Sequence, residues 1–173
     1  VGYISLDKPL GHPDFGKIGP CECRADKIES ARQEKLLQNS NLCGYSGMTF
    51  ETFKTDGRGQ LRAAEKSILE FALAQAKSFI ADPSGWLLLI GNYGTGKTHL
   101  AAAIANEAVQ QGIENIFQPV PDLLDWLRAS YGSSDESYNE RIERIRNVPL
   151  LILDDLGTQS STPWASEKLF MIL

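Results

Sequence analysis

The chain has 173 residues, a formal net charge of −5 and an apolar share of 42%. That is enough for one domain of ordinary size, with a core, plus an appendage. The acidic balance argues against a general nucleic-acid coat, which would be basic, and leaves room for a local DNA contact. No stretch is long or apolar enough to span a membrane, and no signal peptide is visible. Three cysteines, an odd number, fit a reducing cytoplasm better than a disulfide framework. The chain opens on Val1 and closes inside an apolar helical run, so it reads as part of a longer protein.

Residues 1 to 47 read as a small irregular segment. Pro9, Gly11, Pro13, Gly16, Gly19 and Pro20 forbid a long helix in the first twenty positions. Cys21-Glu22-Cys23 follows, then a charged helix expected over 27–38, ended by Asn39, Asn41 and Gly44. Cys21, Cys23 and Cys43, with His12, can make a Cys₃His zinc site, which would staple a segment poor in apolar residues. Cys-x-Cys is tighter than the usual ligand spacing, and three unligated thiols are the alternative.

Thr49-Phe50-Glu51-Thr52-Phe53 opens the second part of the chain. Its two aromatics read as packing residues or as neighbours of an adenine ring. A polar turn, residues 55–59, reads as a linker. Residues 60–81 form the longest helical pattern, with Leu61, Ala64, Ile68, Ala72, Ala76, Phe79 and Ile80 at helical spacing. Asp82-Pro83-Ser84-Gly85 stops it.

Trp86 to Ile90 reads as a short buried strand. Next comes Gly91-Asn92-Tyr93-Gly94-Thr95-Gly96-Lys97-Thr98, which fits G-x-x-x-x-G-K-[ST], and then a helix from His99 to Gln111 stopped by Gly112. Strand, glycine loop, helix is the context that turns this pattern into a phosphate-binding loop. The glycines let backbone N–H groups approach phosphate oxygens, and the helix N-terminus adds partial positive charge. Lys97 is placed to bridge the β- and γ-phosphates of ATP, and the Thr98 hydroxyl to bind Mg²⁺.

A second strand is expected at 114–119 and helices at 122–131 and 140–147, with a polar loop between them. Arg141, Arg144 and Arg146 can meet DNA phosphates or a neighbouring nucleotide; Glu140 and Glu143 interleave with them, as on a solvated, salt-linked helix. Leu150-Leu151-Ile152-Leu153-Asp154-Asp155 reads as a buried parallel strand ending in paired acids. Asp154 is placed to hold Mg²⁺, and Asp155 to orient or deprotonate an attacking water.

Residues 91–101 resemble the Walker A region of AAA+ ATPases of the DnaC/DnaI helicase-loader type, which the IstB transposition helpers share. Residues 151–157 resemble their Walker B, Thr158 to Leu173 the helix after it, and Thr49 to Phe53 the stretch that opens the ATPase domain. The resemblance covers residues 48–173 and takes in Gly91 to His99 as the nucleotide-binding stretch. It implies a three-layer α/β P-loop NTPase of AAA+ type with a parallel sheet, incomplete at the carboxyl end. Sensor 1, the arginine finger and sensor 2 would lie beyond Leu173, and with sensor 1 a central strand. It implies a cytoplasmic ATPase that assembles with itself on ATP and places a replicative DNA helicase on single-stranded DNA, meeting the helicase through residues 1–47. Some loaders carry zinc there. Asp155 stands where many AAA+ proteins have Glu. The alternatives are an ATPase helper of a transposase and a nucleotide-gated binding protein with little turnover.

Overall fold

The computed structural model describes residues 3–5, 7–57, 61–129, 138–157 and 162–173, without the side chains of Pro20, Glu22, Cys23 and Ala25. The chain divides into two units, Val1–Lys35 and Leu36–Leu173.

The first unit is more regular than its composition suggests. Strands β1 (Tyr3–Ser5) and β2 (Ile18–Pro20) pair antiparallel, with Tyr3 opposite Pro20 and Ser5 opposite Ile18. The prolines and glycines between them do exclude a helix, and supply turns instead. His12 N–H donates to the Pro9 carbonyl, Phe15 N–H to His12, and Lys17 N–H to Asp14, at 2.9 to 3.2 Å. Helix α1 (Glu22–Asn39) extends the expected 27–38 helix at both ends. Near its start the Arg24 guanidinium lies 4.5 Å over the Tyr3 ring.

Three of the four expected zinc ligands are described in full, each with its own surroundings. Cys21 is disulfide-bonded, which takes its sulfur out of thiolate coordination and also runs against the expectation of free thiols. Cys43 is free and exposed. His12 Nδ1 accepts from the Asp14 N–H at 3.1 Å. The side chain of Cys23 lies outside the described residues. Among the described residues no group of three His, Cys, Asp or Glu side chains is gathered to hold a metal.

In the second unit, β3 (Asn115–Pro119) and β4 (Leu150–Asp154) pair in parallel, from Asn115 opposite Leu150 to Pro119 opposite Asp154. Helices α4 (Val120–Ala129) and α5 (Tyr138–Asn147) lie between them in the chain. A parallel connection needs such a crossover. The polar loop expected over 131–139 lies outside the described residues up to 137, and its last two residues, Tyr138 and Asn139, open α5; part of the linker turn at 55–59 also lies outside them.

Side chains alternate along β4, as strand geometry requires. Leu150 and Ile152 pack toward α2 (Ala63–Ala81) and α3 (Lys97–Gln110), beside Ala76, Ile80, Leu100 and Ile104. Leu151 and Leu153 pack toward the other helices, against Leu123, Leu127, Ile142 and Ile145. Leu153 also meets Ala165 and Leu169 of α6 (Pro163–Ile172). These are the three layers, helix, sheet and helix, of an α/β P-loop fold. Burial of Phe117, Leu123 or Leu127, each shut off from solvent, contributes about 1.5–3 kcal/mol.

Two elements differ from expectation. Residues 86–90 form no strand and pair with none among the described residues. Leu87 and Leu89 are half-buried against the α3 side of the core, while Trp86, Leu88 and Ile90 are exposed. The run therefore buries one face, not two. Residues 36–48 also belong to the second unit. Leu36, Leu42, Tyr45 and Met48 pack against Ala101, Ala105 and Phe117, and the Phe117 N–H donates to the Ser40 carbonyl at 3.0 Å. The units thus divide ahead of the boundary expected at 47/48. Among the described residues no helix is long and apolar enough to cross a membrane.

Candidate functional site

The glycine loop joins the 86–90 segment to the amino end of α3. Gly94 and Gly96 both take left-handed backbone angles, φ 75° and 88°, which cost L side chains strain and glycine none. Gly96 is the residue just before α3, so the turn delivers the chain into the helix with its first N–H groups unspent. The Asn92 carbonyl accepts from Thr95 Oγ1 and from Lys97 Nζ, each at 2.9 Å. One carbonyl thus ties both ends of the loop together. Tyr93 projects from the tip, fully exposed.

Gly91, Asn92, Gly94, Thr95, Gly96, Lys97 and His99 line one open cleft of about 1110 Å³. Its wall continues through Phe53, Leu61 and Ile68. A groove with phosphate-sized backbone donors at one end and apolar side chains at the other has the chemistry of a nucleotide pocket. Thr98, Asp154 and Asp155 do not line this cleft. Thr98 is half-buried in the first turn of α3. Asp154 ends β4 and is 8% exposed, and Asp155 is exposed with a left-handed φ of 54°. The chain turns sharply there, so two adjacent acids face different surroundings.

Three residues tie the 45–53 segment to α3. His99 Nε2 lies 2.9 Å from the Thr49 carbonyl and 3.2 Å from Thr52 Oγ1. A carbonyl only accepts, so Nε2 carries the proton. The His99 ring meets Phe53 edge-on, with centroids 5.3 Å apart. Phe53 in turn fills the space beside Gly96, where a Cβ would stand 2.7 Å from its Cε2. Two turns along the helix, Asn106 Nδ2 donates to the carbonyls of Tyr45 and Met48, both at 3.0 Å. Of the two aromatics at 49–53, Phe50 is a core residue and Phe53 is a cleft wall. Asn106 escapes sequence reading, because one Asn in an Ala-rich helix looks like a surface residue.

The arginines of α5 have separate contacts. Arg141 Nη1 donates to the Trp126 carbonyl at 2.6 Å, with its guanidinium 4.6 Å over the Trp126 ring. Arg146 pairs with Glu143 at 3.8 Å. Arg144 lines a smaller cleft of about 380 Å³ beside Asn41 and Gln118 at the β3 edge.

Residues 29–173 match the family described as IstB-like ATP binding protein. The replicative helicase loader DnaC of Escherichia coli (strain K12) is 27% identical over 140 residues, 77% of this chain and 54% of the loader. The uncharacterized protein YdaV of the same organism is 36% identical over 149 residues, 82% of this chain and 55% of that protein. The replicative helicase loader DnaI of Bacillus subtilis (strain 168) is 34% identical over 82 residues, 47% of this chain and 26% of the loader. The chain spans about half the length of DnaC and YdaV. A glycine loop at the amino end of α3, a parallel α/β core and a match over most of its length all point one way: the chain belongs to the IstB-like ATP-binding proteins, AAA+ ATPases of the DnaC/IstB type.

Proposed function

We propose that this chain is the nucleotide-binding part of a cytoplasmic AAA+ ATPase that loads a replicative DNA helicase. The carrying observation is the loop at 91–98, with two left-handed glycines at the amino end of α3 and Lys97 held to the Asn92 carbonyl. In this reading Gly91 to His99 cradle the phosphates of ATP with backbone N–H groups, and the Lys97 ammonium meets the β- and γ-phosphates. Thr98 and Asp154 are the Mg²⁺ ligands. They offer hydroxyl and carboxylate oxygens, the donors this hard cation takes, and Leu100 and Ile104 pack their two elements together against Leu150 and Ile152. Bound Mg²⁺ supplies neutralisation of charge on the phosphates. Asp155 orients or deprotonates the attacking water during slow hydrolysis.

The helicase partner is suggested by two relatives named as replicative helicase loaders. Residues 1–47 are assigned the partner contact and 48–173 the ATPase domain. Assembly of copies on ATP and contact with single-stranded DNA belong to the same reading. A second reading, an ATPase helper of a transposase, draws on the IstB-like family match. A third, a nucleotide-gated binding protein with little turnover, differs in the rate of hydrolysis. Co-purification of the intact protein with its cognate helicase and, separately, with a transposase tests the assignment. Helicase capture and measurable turnover support the loader; capture of transposase alone contradicts it.

A further inference from the structure

We propose that residues 45–53 form a strap that α3 holds against the phosphate loop, with His99 and Asn106 as its positioning residues. The inference rests on the nucleotide reading of the loop and adds the means by which the loop is set and its state passed on. Three carbonyls of the strap, those of Tyr45, Met48 and Thr49, accept from these two side chains. His99 and Asn106 lie seven residues apart in α3, so they share one face. The strap is stiffened from within. The Thr49 N–H donates to Thr52 Oγ1 at 2.9 Å, and that hydroxyl lies 2.9 Å from the Gly47 carbonyl. Its far end delivers Phe53 onto Gly96 and onto the His99 ring.

The consequence is mechanical. Gly96 is both the left-handed hinge of the loop and the place where Phe53 rests, so the strap limits how the loop can open. The near end of the strap carries Tyr45 and Met48, which pack with Leu42 against α3 and Phe117. Ordering the loop on a nucleotide therefore stiffens the strap through to Leu42.

The test uses the intact protein and hydrogen exchange of residues 45–53, with a fluorescent ATP analogue as ligand. His99→Leu removes the Nε2 donor; His99→Gln restores an N–H at the same reach. Expected are exchange at 49–53 at least tenfold faster in His99→Leu, analogue affinity about tenfold weaker, and both within about threefold of wild type in His99→Gln. Asn106→Ala speeds exchange at 45–48, and the analogue slows exchange across 45–53 in the wild type. Unchanged exchange in His99→Leu, or faster exchange with unaltered affinity, overturns the strap. So does a Gln variant no better than Leu. A wild type that binds no nucleotide instead overturns the site reading, while exchange in the nucleotide-free variants still reports whether His99 and Asn106 hold the segment.

Discussion

Asp154 and Asp155 are neighbours in the chain with opposite surroundings. Asp154 closes β4 with 8% of its surface exposed, whereas Asp155 is exposed and turned by a left-handed φ of 54°. A non-glycine residue there holds a strained backbone, a feature that gathers at functional sites. The two carboxylates should therefore fail differently. Asp155→Asn is expected to keep Mg-ATP affinity and to lower turnover by about 10²–10⁴-fold, the range for loss of a general base. Asp154→Asn should instead shift the Mg²⁺ dependence of binding. Equilibrium binding at several Mg²⁺ concentrations, beside phosphate release, separates them. Identical behaviour of the two variants would contradict the division of roles.

Gly96→Ala should be costly for two independent reasons. A φ of 88° strains any L residue by about 1–2 kcal/mol, and the new methyl would meet Phe53 at 2.7 Å. A domain of this size loses about 2–4 °C of Tm per kcal/mol, so a fall of roughly 4 °C or more is expected in thermal denaturation. Phe53→Ala removes the clash and not the strain. In a double-mutant cycle the second substitution should cost less in the Gly96→Ala background than in the wild type. Strict additivity would show that the ring does not oppose the methyl.

The start of α2 should loosen in acid. The Arg62 side chain donates to Glu65 Oε1 at 2.6 Å and the Arg62 N–H to Oε2 at 2.9 Å. The Arg62 guanidinium first, and its N–H second, hold the Glu65 carboxyl below its ordinary value of 4.5. A lowered folded pKa means that this contribution is complete above the ordinary value and is lost as pH falls through the lowered one. Both groups are solvent-exposed, so the effect is local and reduced by salt. The protection of the 66–69 amides, each rate taken relative to a free amide at the same pH, should fall in that acid window, and Glu65→Gln should show the same loss of protection at neutral pH. An exchange rate in Glu65→Gln equal to the wild type would remove the cap from the account.

Much of the fold was legible in the sequence, and the failures have physical causes. The glycine loop, β3, β4 and the helices announce themselves by local pattern, which spacing captures. Residues 86–90 read as a short buried strand, because five apolar residues in a row report the capacity to be buried. They do not report a hydrogen-bonded partner, which is a non-local matter. β1 and β2 were missed for the same reason: three residues each, stitched across a dozen intervening positions. Cysteine spacing says nothing of oxidation state, and Cys21, one of the expected zinc ligands, is disulfide-bonded. Within the candidate site, the glycine loop ahead of α3 was evident from spacing. The tether of His99 and Asn106 to the strap was not, since Asn106 gains its meaning from two carbonyls some sixty residues earlier in the chain.

The structure also changes how the proposed partner segment is best removed. Leu42 is fully buried, and Leu36 and Tyr45 pack with it against α3 and Phe117. Deleting residues 1–47 would strip this layer from the ATPase core; losing Leu42 alone is worth about 2–5 kcal/mol. Deleting 1–35 stops at the division between the two units. The shorter deletion should leave ATP-analogue binding within about threefold of wild type and abolish co-purification of the helicase. Helicase capture undiminished by it would move the partner contact elsewhere.

The central claim is that the 91–98 loop holds a nucleotide, and Lys97 is its most exposed point of failure. Its Nζ, now donating to the Asn92 carbonyl at 2.9 Å, is the charge available to phosphates. Titration of a fluorescent ATP analogue into the intact protein, wild type beside Lys97→Ala, measures this directly. The account predicts saturable, Mg²⁺-dependent binding by the wild type and a loss of at least a hundredfold in affinity on substitution. Equal affinity in the two proteins, with both folded by circular dichroism, would contradict it.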